Sequence, residues 1–103
     1  MTHPNTIDLR EKDLKNLLAI FARFPGIREV RLFGSRARGD ARRASDIDLA
    51  VYVNTASPSE WSAFAEAIEE SPVIFRVDLV RMDDSLDSAI RGRIECEGIR
   101  IYP

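Results

Sequence analysis

The segment FGSRARGDARRASDIDLAVYV, residues 33–53, contains the end of one strand, a polar turn and the start of another strand. Gly34-Ser35 follows the apolar run that ends at Phe33 and opens the turn. Two glycines and four arginines between residues 34 and 45 predict a turn, with a short helix after Ser35. From Asp46 to Val53 the chain is again apolar enough for a strand.

Two carboxylates stand two residues apart at the start of that second strand. Because strand side chains alternate between faces, Asp46 and Asp48 are expected on one face, roughly 6–7 Å apart. Aspartate is rare in strands, and like charges side by side repel each other. This arrangement favours a bound cation, and oxygen-only ligands indicate Mg²⁺ or Mn²⁺.

A third carboxylate interrupts another apolar strand, Val77-Asp78-Leu79-Val80. If this strand pairs beside the one carrying Asp48, Asp78 completes a three-carboxylate cluster that can hold two metal ions about 3.5–4 Å apart. An isolated Asp-x-Asp is usually a solvated strand end, and an isolated Gly-Ser is usually a simple connection. Their combination, and not either motif alone, favours a site.

The rest of the chain predicts helices around these strands. We expect a helix from a cap at Asn5 or Thr6 to about Phe24, and a strand over 27–33. Further expectations are a helix opened by Ser57-Pro58, a strand over 73–80, a helix from Asp84 or Ser85 to Cys96, and an edge strand over 99–102. The fold class is therefore α/β, with a small mixed sheet of three to four strands flanked by helices.

Composition limits the range of functions. The 103 residues fit a single domain, 1–103, and the net charge of −2 is unlike that of a polycation that coats nucleic acid. Cys96 is the single cysteine, so it forms no internal disulfide, and we expect it to be a small core residue. The sequence contains neither a signal-peptide pattern nor a membrane-spanning stretch, so we expect a cytoplasmic protein.

Gly34-Ser35, followed after ten residues by Asp46-Ile47-Asp48-Leu49, resembles the signature of the nucleotidyltransferase superfamily that includes the DNA polymerase β palm. The wider string from Phe33 to Asp40, continuing through Ser45-Asp46-Ile47-Asp48, is similar to the minimal nucleotidyltransferases (MNT), which are single domains of about this length. The resemblance covers nearly the whole chain. It implies a palm-like fold and Mg²⁺-dependent transfer of a nucleotide from a triphosphate.

The resemblance also implies roles for individual residues. Gly34 and Ser35 would hold the nucleotide phosphates, while Asp46, Asp48 and Asp78 would bind two Mg²⁺ or Mn²⁺ ions. Asp78 is in addition the expected general base for the attacking hydroxyl, either directly or through the metal.

Two arginines are candidates from their positions in the sequence. Arg36, directly after Ser35, is the first candidate to clamp the β- and γ-phosphates. Arg76, two residues before Asp78 on the same strand face, can pair with that carboxylate or reach the nucleotide. The sequence is consistent with both roles of Arg76, the pairing with Asp78 and the contact with the nucleotide.

MNT domains are similar to the antitoxin half of modules whose other half is an all-helical HEPN toxin. The resemblance therefore implies transfer of AMP from ATP to a hydroxyl, typically of a tyrosine, on a HEPN-type partner in a hetero-oligomer. Two alternatives stay open: an antitoxin that neutralises its partner by binding alone, and nucleotidyl transfer to a small molecule. Polymerisation on a nucleic-acid template is least favoured, because the chain is acidic and has no segment for a template-binding lobe.

Overall fold

The computed structural model describes residues 8–39, 45–54, 57–83 and 86–103. The elements in chain order are α1 (Glu11–Ala22), β1 (Ile27–Phe33), α2 (Ser35–Arg38), β2 (Ile47–Val53), α3 (Pro58–Glu69), β3 (Val77–Met82), α4 (Ser88–Glu97) and β4 (Ile99–Tyr102). The predicted α/β class and element order are confirmed, including the short helix after Ser35 and the last strand.

The four strands form one mixed sheet in the order β3-β2-β1-β4. β1 runs antiparallel to both β2 and β4, whereas β2 and β3 are parallel neighbours. Parallel neighbours need a crossover, and α3 supplies it. This topology places the two aspartate-bearing strands side by side, as the three-carboxylate prediction requires.

The apolar core lies between one face of the sheet and the helices α1 and α3. Leu17 and Phe21 of α1 meet Phe64 of α3, and the Phe21 and Phe64 ring centroids are 6.1 Å apart. The sheet contributes alternate residues of β1 and β2, as expected from the period of two; these buried residues are Val30, Leu32, Ile47, Leu49 and Val51. The side chains between them, including Asp48, therefore point to the opposite face.

The helix α4 lies over that opposite face. Its residues Arg91 and Glu95 line a cleft of about 180 Å³ together with Tyr52 and Met82 of the sheet, and Ile94 is fully buried. The helix begins with Asp87, whose carboxylate accepts hydrogen bonds from the amides of the first turn. Because α4 is anchored by a single buried side chain, most of its surface faces solvent.

Several predicted boundaries were wrong. α1 begins at Glu11, later than predicted, and the expected caps Asn5 and Thr6 lie outside the described residues. β3 begins at Val77 instead of residue 73. α4 begins at Ser88 with Asp87 as its cap, and the expected caps Asp84 and Ser85 lie outside the described residues.

Cys96 is exposed and is not a core residue as predicted. Ile94 takes the inward position on α4. Cys96 follows two residues later, which places it about 200° around the helix axis, on the outward side.

In the part of the chain that the structure describes, every helix is too short or too polar to cross a lipid bilayer.

Candidate nucleotide and metal site

The site is organised around the close approach of Gly34 to Asp48. Phe33, the last residue of β1, is the register partner of Asp48 on β2, so the turn that follows β1 lies against that carboxylate. Gly34 has φ 76° and ψ −154°, a region that only glycine adopts readily. A Cβ at this position would lie closer than 3.0 Å to Oδ2 of Asp48. Glycine is therefore required here both by the backbone angle and by the neighbouring carboxylate.

The turn after Gly34 is fixed by its own backbone. The amides of Ala37 and Arg38 both donate to the carbonyl of Gly34, at 3.1 and 3.0 Å, and close the short helix α2. Gly39 ends it in the left-handed conformation, with φ 85°, and its amide donates to the carbonyl of Ser35. Ser35 is thereby held at the entrance of the turn, one residue from the glycine that touches Asp48.

The sheet brings the predicted carboxylates together. Asp48 and Asp78 are direct register partners on the parallel strands β2 and β3, so both point to the face opposite the core, about 4.8 Å apart at the backbone. Asp46 precedes β2 by one residue and is exposed. The structure thus places all three aspartates at the same end of the same two strands.

The electrostatics of Asp48 reflect this crowding. Partial burial raises the pKa of the Asp48 carboxyl, and the negative charges of Asp78 and Asp46 raise it further. The positive charges of Arg38 and Arg36 act in the opposite direction. A bound cation would relieve the repulsion among the three carboxylates, so an all-oxygen donor set with this mutual repulsion suits Mg²⁺ or Mn²⁺.

The carboxylates are not, however, arranged as a closed metal cage. Among the described residues, no group of three or more His, Cys, Asp or Glu side chains is positioned to hold an ion. Asp78 is instead paired with Arg76, whose Nε lies 3.2 Å from Oδ1, so of the two readings left open for Arg76 the structure shows the pairing. The donor set fits the metal chemically, and the side chains would have to turn towards an ion to complete its coordination.

Arg36 lies in a different position from the other candidates. Arg36 is buried, with 4% of its surface exposed. Its guanidinium donates hydrogen bonds to two backbone carbonyls: Nη1 to that of Asp8 at 2.8 Å, and Nη2 and Nε to that of Ser45 at 2.8 and 3.1 Å. The predicted clamping of phosphates by Arg36 therefore stays a prediction. Arg38, at the far end of α2, is more exposed and lies 3.5 Å from Glu97 of α4.

Sequence reasoning missed two features that surround the site. Phe75 lies under the Arg36 guanidinium, 4.5 Å from it, and Glu29 is buried in an ion-pair cluster with Arg31 and Arg100 on the same sheet face as Asp48. Alternation along β1 would have placed Glu29 with Arg31, but a register irregularity between Ile27 and Glu29 obscures the pattern. The Phe75 contact joins distant segments and leaves no local sequence signal. Arg42 and Arg43, two of the four arginines between residues 34 and 45, lie outside the described residues.

Comparison with known proteins identifies relatives over most of the chain. The family model described as "Polymerase beta, Nucleotidyltransferase" matches residues 15–103. A curated relative, "Probable protein adenylyltransferase MntA" of Haemophilus influenzae, is 32% identical over 83 residues, which are 78% of this chain and 71% of the relative.

Solved structures with the same fold include toxin-antitoxin complexes. One described as a toxin-antitoxin with AMP-PNP superposes with a TM-score of 0.70 at 23% identity, covering 87% of this chain and 73% of that one. A complex of a tri-AMPylated Shewanella oneidensis HEPN toxin with an MNT antitoxin gives a TM-score of 0.52 at 24% identity, covering 89% of this chain and 68% of that one. A chain described as a minimal nucleotidyltransferase gives a TM-score of 0.60 at 30% identity, covering 85% of this chain and 88% of that one.

Proposed function

The chain belongs to the Polymerase beta, Nucleotidyltransferase family, and on that premise we propose that it is a Mg²⁺-dependent adenylyltransferase acting on a HEPN-type partner. It transfers AMP from ATP to a tyrosine hydroxyl of that partner and so acts as the antitoxin of the pair. The relative from Haemophilus influenzae is named as a protein adenylyltransferase, and a partner toxin bearing AMP occurs in a structural neighbour. These two findings support the acceptor class.

One observation carries the proposal: the turn from Gly34 to Gly39, here called the glycine-serine turn, lies directly against the carboxylates. Gly34 leaves room for Oδ2 of Asp48, and Asp78 is the register neighbour of Asp48. A group that binds the amides and hydroxyl of the turn would therefore also lie beside the carboxylates. Triphosphate and divalent cation need this juxtaposition, because charge neutralisation and positioning supply most of the catalysis in phosphoryl and nucleotidyl transfer.

Each residue then has a defined role. Gly34 and Ser35 hold the phosphates of ATP, and Asp46, Asp48 and Asp78 hold the divalent ions. When bound, these ions neutralise charge on the triphosphate and stabilise the leaving group. The partner's hydroxyl oxygen attacks the α-phosphorus as the bond to the β-phosphate oxygen breaks, and pyrophosphate leaves. Asp78 accepts the proton of that hydroxyl, after its carboxylate has separated from Arg76.

Labelling tests this function directly. The purified chain is incubated with Mg²⁺, ATP labelled at the α-phosphate and a candidate HEPN-type partner, taken from an adjacent reading frame. We expect label on the helical partner, located by mass spectrometry on a tyrosine, and no label from ATP labelled at the γ-phosphate. Asp46→Asn and Asp48→Asn should abolish labelling. Glu66→Gln, which also replaces a carboxylate by an amide but lies on an exposed face of α3, should not.

The outcomes separate the enzyme from its alternatives. If the wild-type chain and Asp48→Asn neutralise the partner equally and neither labels it, the chain acts by binding alone. Label that is transferred to a small molecule and not to the partner would refute the protein acceptor while retaining the chemistry.

A further inference from the structure

We propose that Arg36 is a positioning residue that fastens the glycine-serine turn to the backbone carrying Asp46 and Asp48. The proposal rests on the proposed function for its meaning, since it concerns the geometry of that site. It assigns Arg36 a role behind the site instead of the direct phosphate contact expected from sequence.

The contacts of the Arg36 side chain join four segments of the chain. The residue belongs to α2, one position after Ser35, and its guanidinium reaches the carbonyl of Ser45, which directly precedes Asp46. It also reaches Asp8, and the bond is reciprocal because the amide of Asp8 donates to the carbonyl of Arg36. The ring of Phe75 covers the guanidinium from the segment leading to Asp78. One side chain thus contacts both the residue before Asp46 and the segment that leads to Asp78.

The bonds to Ser45 are the ones that bear on the carboxylates. Ser45 lies nine residues beyond Arg36, and two of the guanidinium nitrogens converge on its single carbonyl oxygen. On the other side of Asp46, the amide of Ile47 donates to the carbonyl of Arg76 at the start of β2. Asp46 is therefore held between two backbone anchors, although it lies outside the strand, and one of the two anchors depends on Arg36.

A guanidinium is needed for this arrangement because the two carbonyls lie in different directions. Its planar fork presents donors to Asp8 and Ser45 at once while its face stacks on Phe75. A lysine would keep the positive charge but offers one compact ammonium group, which cannot span both carbonyls and stack. The exchange Arg36→Lys therefore separates the positioning role from the charge.

The test measures Mn²⁺ binding by water-proton relaxation in the presence of saturating AMP-PNP, and AMP-PNP binding in metal-free buffer. We expect Arg36→Lys to weaken Mn²⁺ binding about tenfold, a typical effect of losing a group that orients metal ligands. AMP-PNP affinity without metal should remain within about twofold of wild type. Phe75→Leu, which removes the stacking but leaves the carbonyl bonds, should give a smaller loss in the same direction and serves if Arg36→Lys does not fold.

Arg10→Lys is the matched control. Arg10 also lies over the Phe75 ring, at 5.2 Å, but its guanidinium pairs with Asp13 at the start of α1 and makes no bond to Ser45. It should leave Mn²⁺ affinity unchanged, even if it lowers the melting temperature as much as Arg36→Lys does.

Two results would overturn the positioning role. One is unchanged Mn²⁺ affinity in Arg36→Lys when Asp48→Asn abolishes binding. The other is a loss of metal-free AMP-PNP binding in Arg36→Lys with Mn²⁺ affinity retained, which would show a phosphate contact instead. A wild-type chain that binds no Mn²⁺ at all would instead refute the metal-dependent function itself.

Discussion

Replacing Gly34 by alanine tests the contact on which the site depends. The added Cβ meets two separate obstacles: a backbone conformation reserved for glycine, and Oδ2 of Asp48 closer than 3.0 Å. The first costs about 1–3 kcal/mol of unfolding free energy. The second forces the Asp48 carboxylate to turn away, since a side-chain end moves more easily than the paired backbone of β1 and β2. We therefore expect Gly34→Ala to lower stability by roughly 2–3 kcal/mol and to move the Asp48 carboxylate, a proposed metal ligand.

Gly39→Ala is the matched control, because Gly39 also has a positive φ but its Cβ would meet no atom of the described residues within 4 Å. This variant should lose only the cost of the left-handed conformation, about 1–2 kcal/mol. That cost corresponds to a fall in melting temperature of about 4–8 °C per kcal/mol for a chain of this size. Chemical denaturation measures the stability of each variant, and α-labelled ATP measures transfer.

Transfer should distinguish the two glycines more sharply than stability does. A misplacement of about 1 Å at a reacting site can cost on the order of 100-fold in rate, so Gly34→Ala should lose at least that much, while Gly39→Ala stays within a few-fold of wild type. In an Asp48→Ala background the clash disappears, and the stability cost of Gly34→Ala should shrink by about 1 kcal/mol. Equal costs in both backgrounds, or equal transfer by the two alanine variants, would refute the reasoning.

The remaining predictions concern charge. In metal-free buffer Asp48→Asn should raise the melting temperature by about 2–5 °C at pH 7, because a cross-strand pair of like charges costs up to about 1 kcal/mol. Burial, Asp78 and Asp46 raise the pKa of Asp48 in the folded state, so wild-type stability falls as pH rises from the ordinary value of 3.8 to that raised pKa. The advantage of Asp48→Asn should therefore vanish below 3.8, and an advantage that persists at pH 3 would contradict this. Arg76→Ala should strengthen Mn²⁺ binding a few-fold by releasing Asp78, as measured by relaxation, whereas weaker binding would assign Arg76 to the site. Glu29→Gln should lower the free energy of unfolding by about 1–2 kcal/mol at pH 7, as measured by chemical denaturation. Although burial opposes ionisation of Glu29, the hydrogen bond and charge of Arg31 hold its pKa below the usual range. The stability difference between Glu29→Gln and wild type should therefore disappear as pH falls through that lowered pKa.

The elements that the sequence predicted best are those in which local pattern and tertiary packing agree. The centre of β1 alternates, with Val30 and Leu32 on either side of Arg31, and the strand was predicted with its observed bounds. α3 is capped by Ser57, with Pro58 in its first turn and a capping box completed by Glu60. α4 was placed less well, because it has only one fully buried residue, Ile94, and its cap is Asp87 instead of the predicted Asp84 or Ser85. Where a helix packs weakly, its periodicity carries little information.

The site was predictable to the extent that it is local. Asp46 and Asp48 follow from strand spacing, and the adjacency of Asp78 follows once β2 and β3 are parallel neighbours. The position of Arg36 was not predictable, because its partners are backbone carbonyls of residues 8 and 45, and a carbonyl leaves no trace in the sequence. Reading Arg36 by its neighbour Ser35 suggested a phosphate ligand, and its burial on Phe75 suggests instead a support for the turn.

The exposed Cys96 gives the chain a natural attachment point for a spectroscopic probe. It is the single thiol among 103 residues, so a maleimide dye or spin label would react at one position without any cysteine being removed first. The label would stand on the last turn of α4, next to Glu97, which pairs with Arg38 at the end of the glycine-serine turn. A change in its emission or mobility on addition of nucleotide would report events at the turn from outside the site, in a protein with its sequence unaltered.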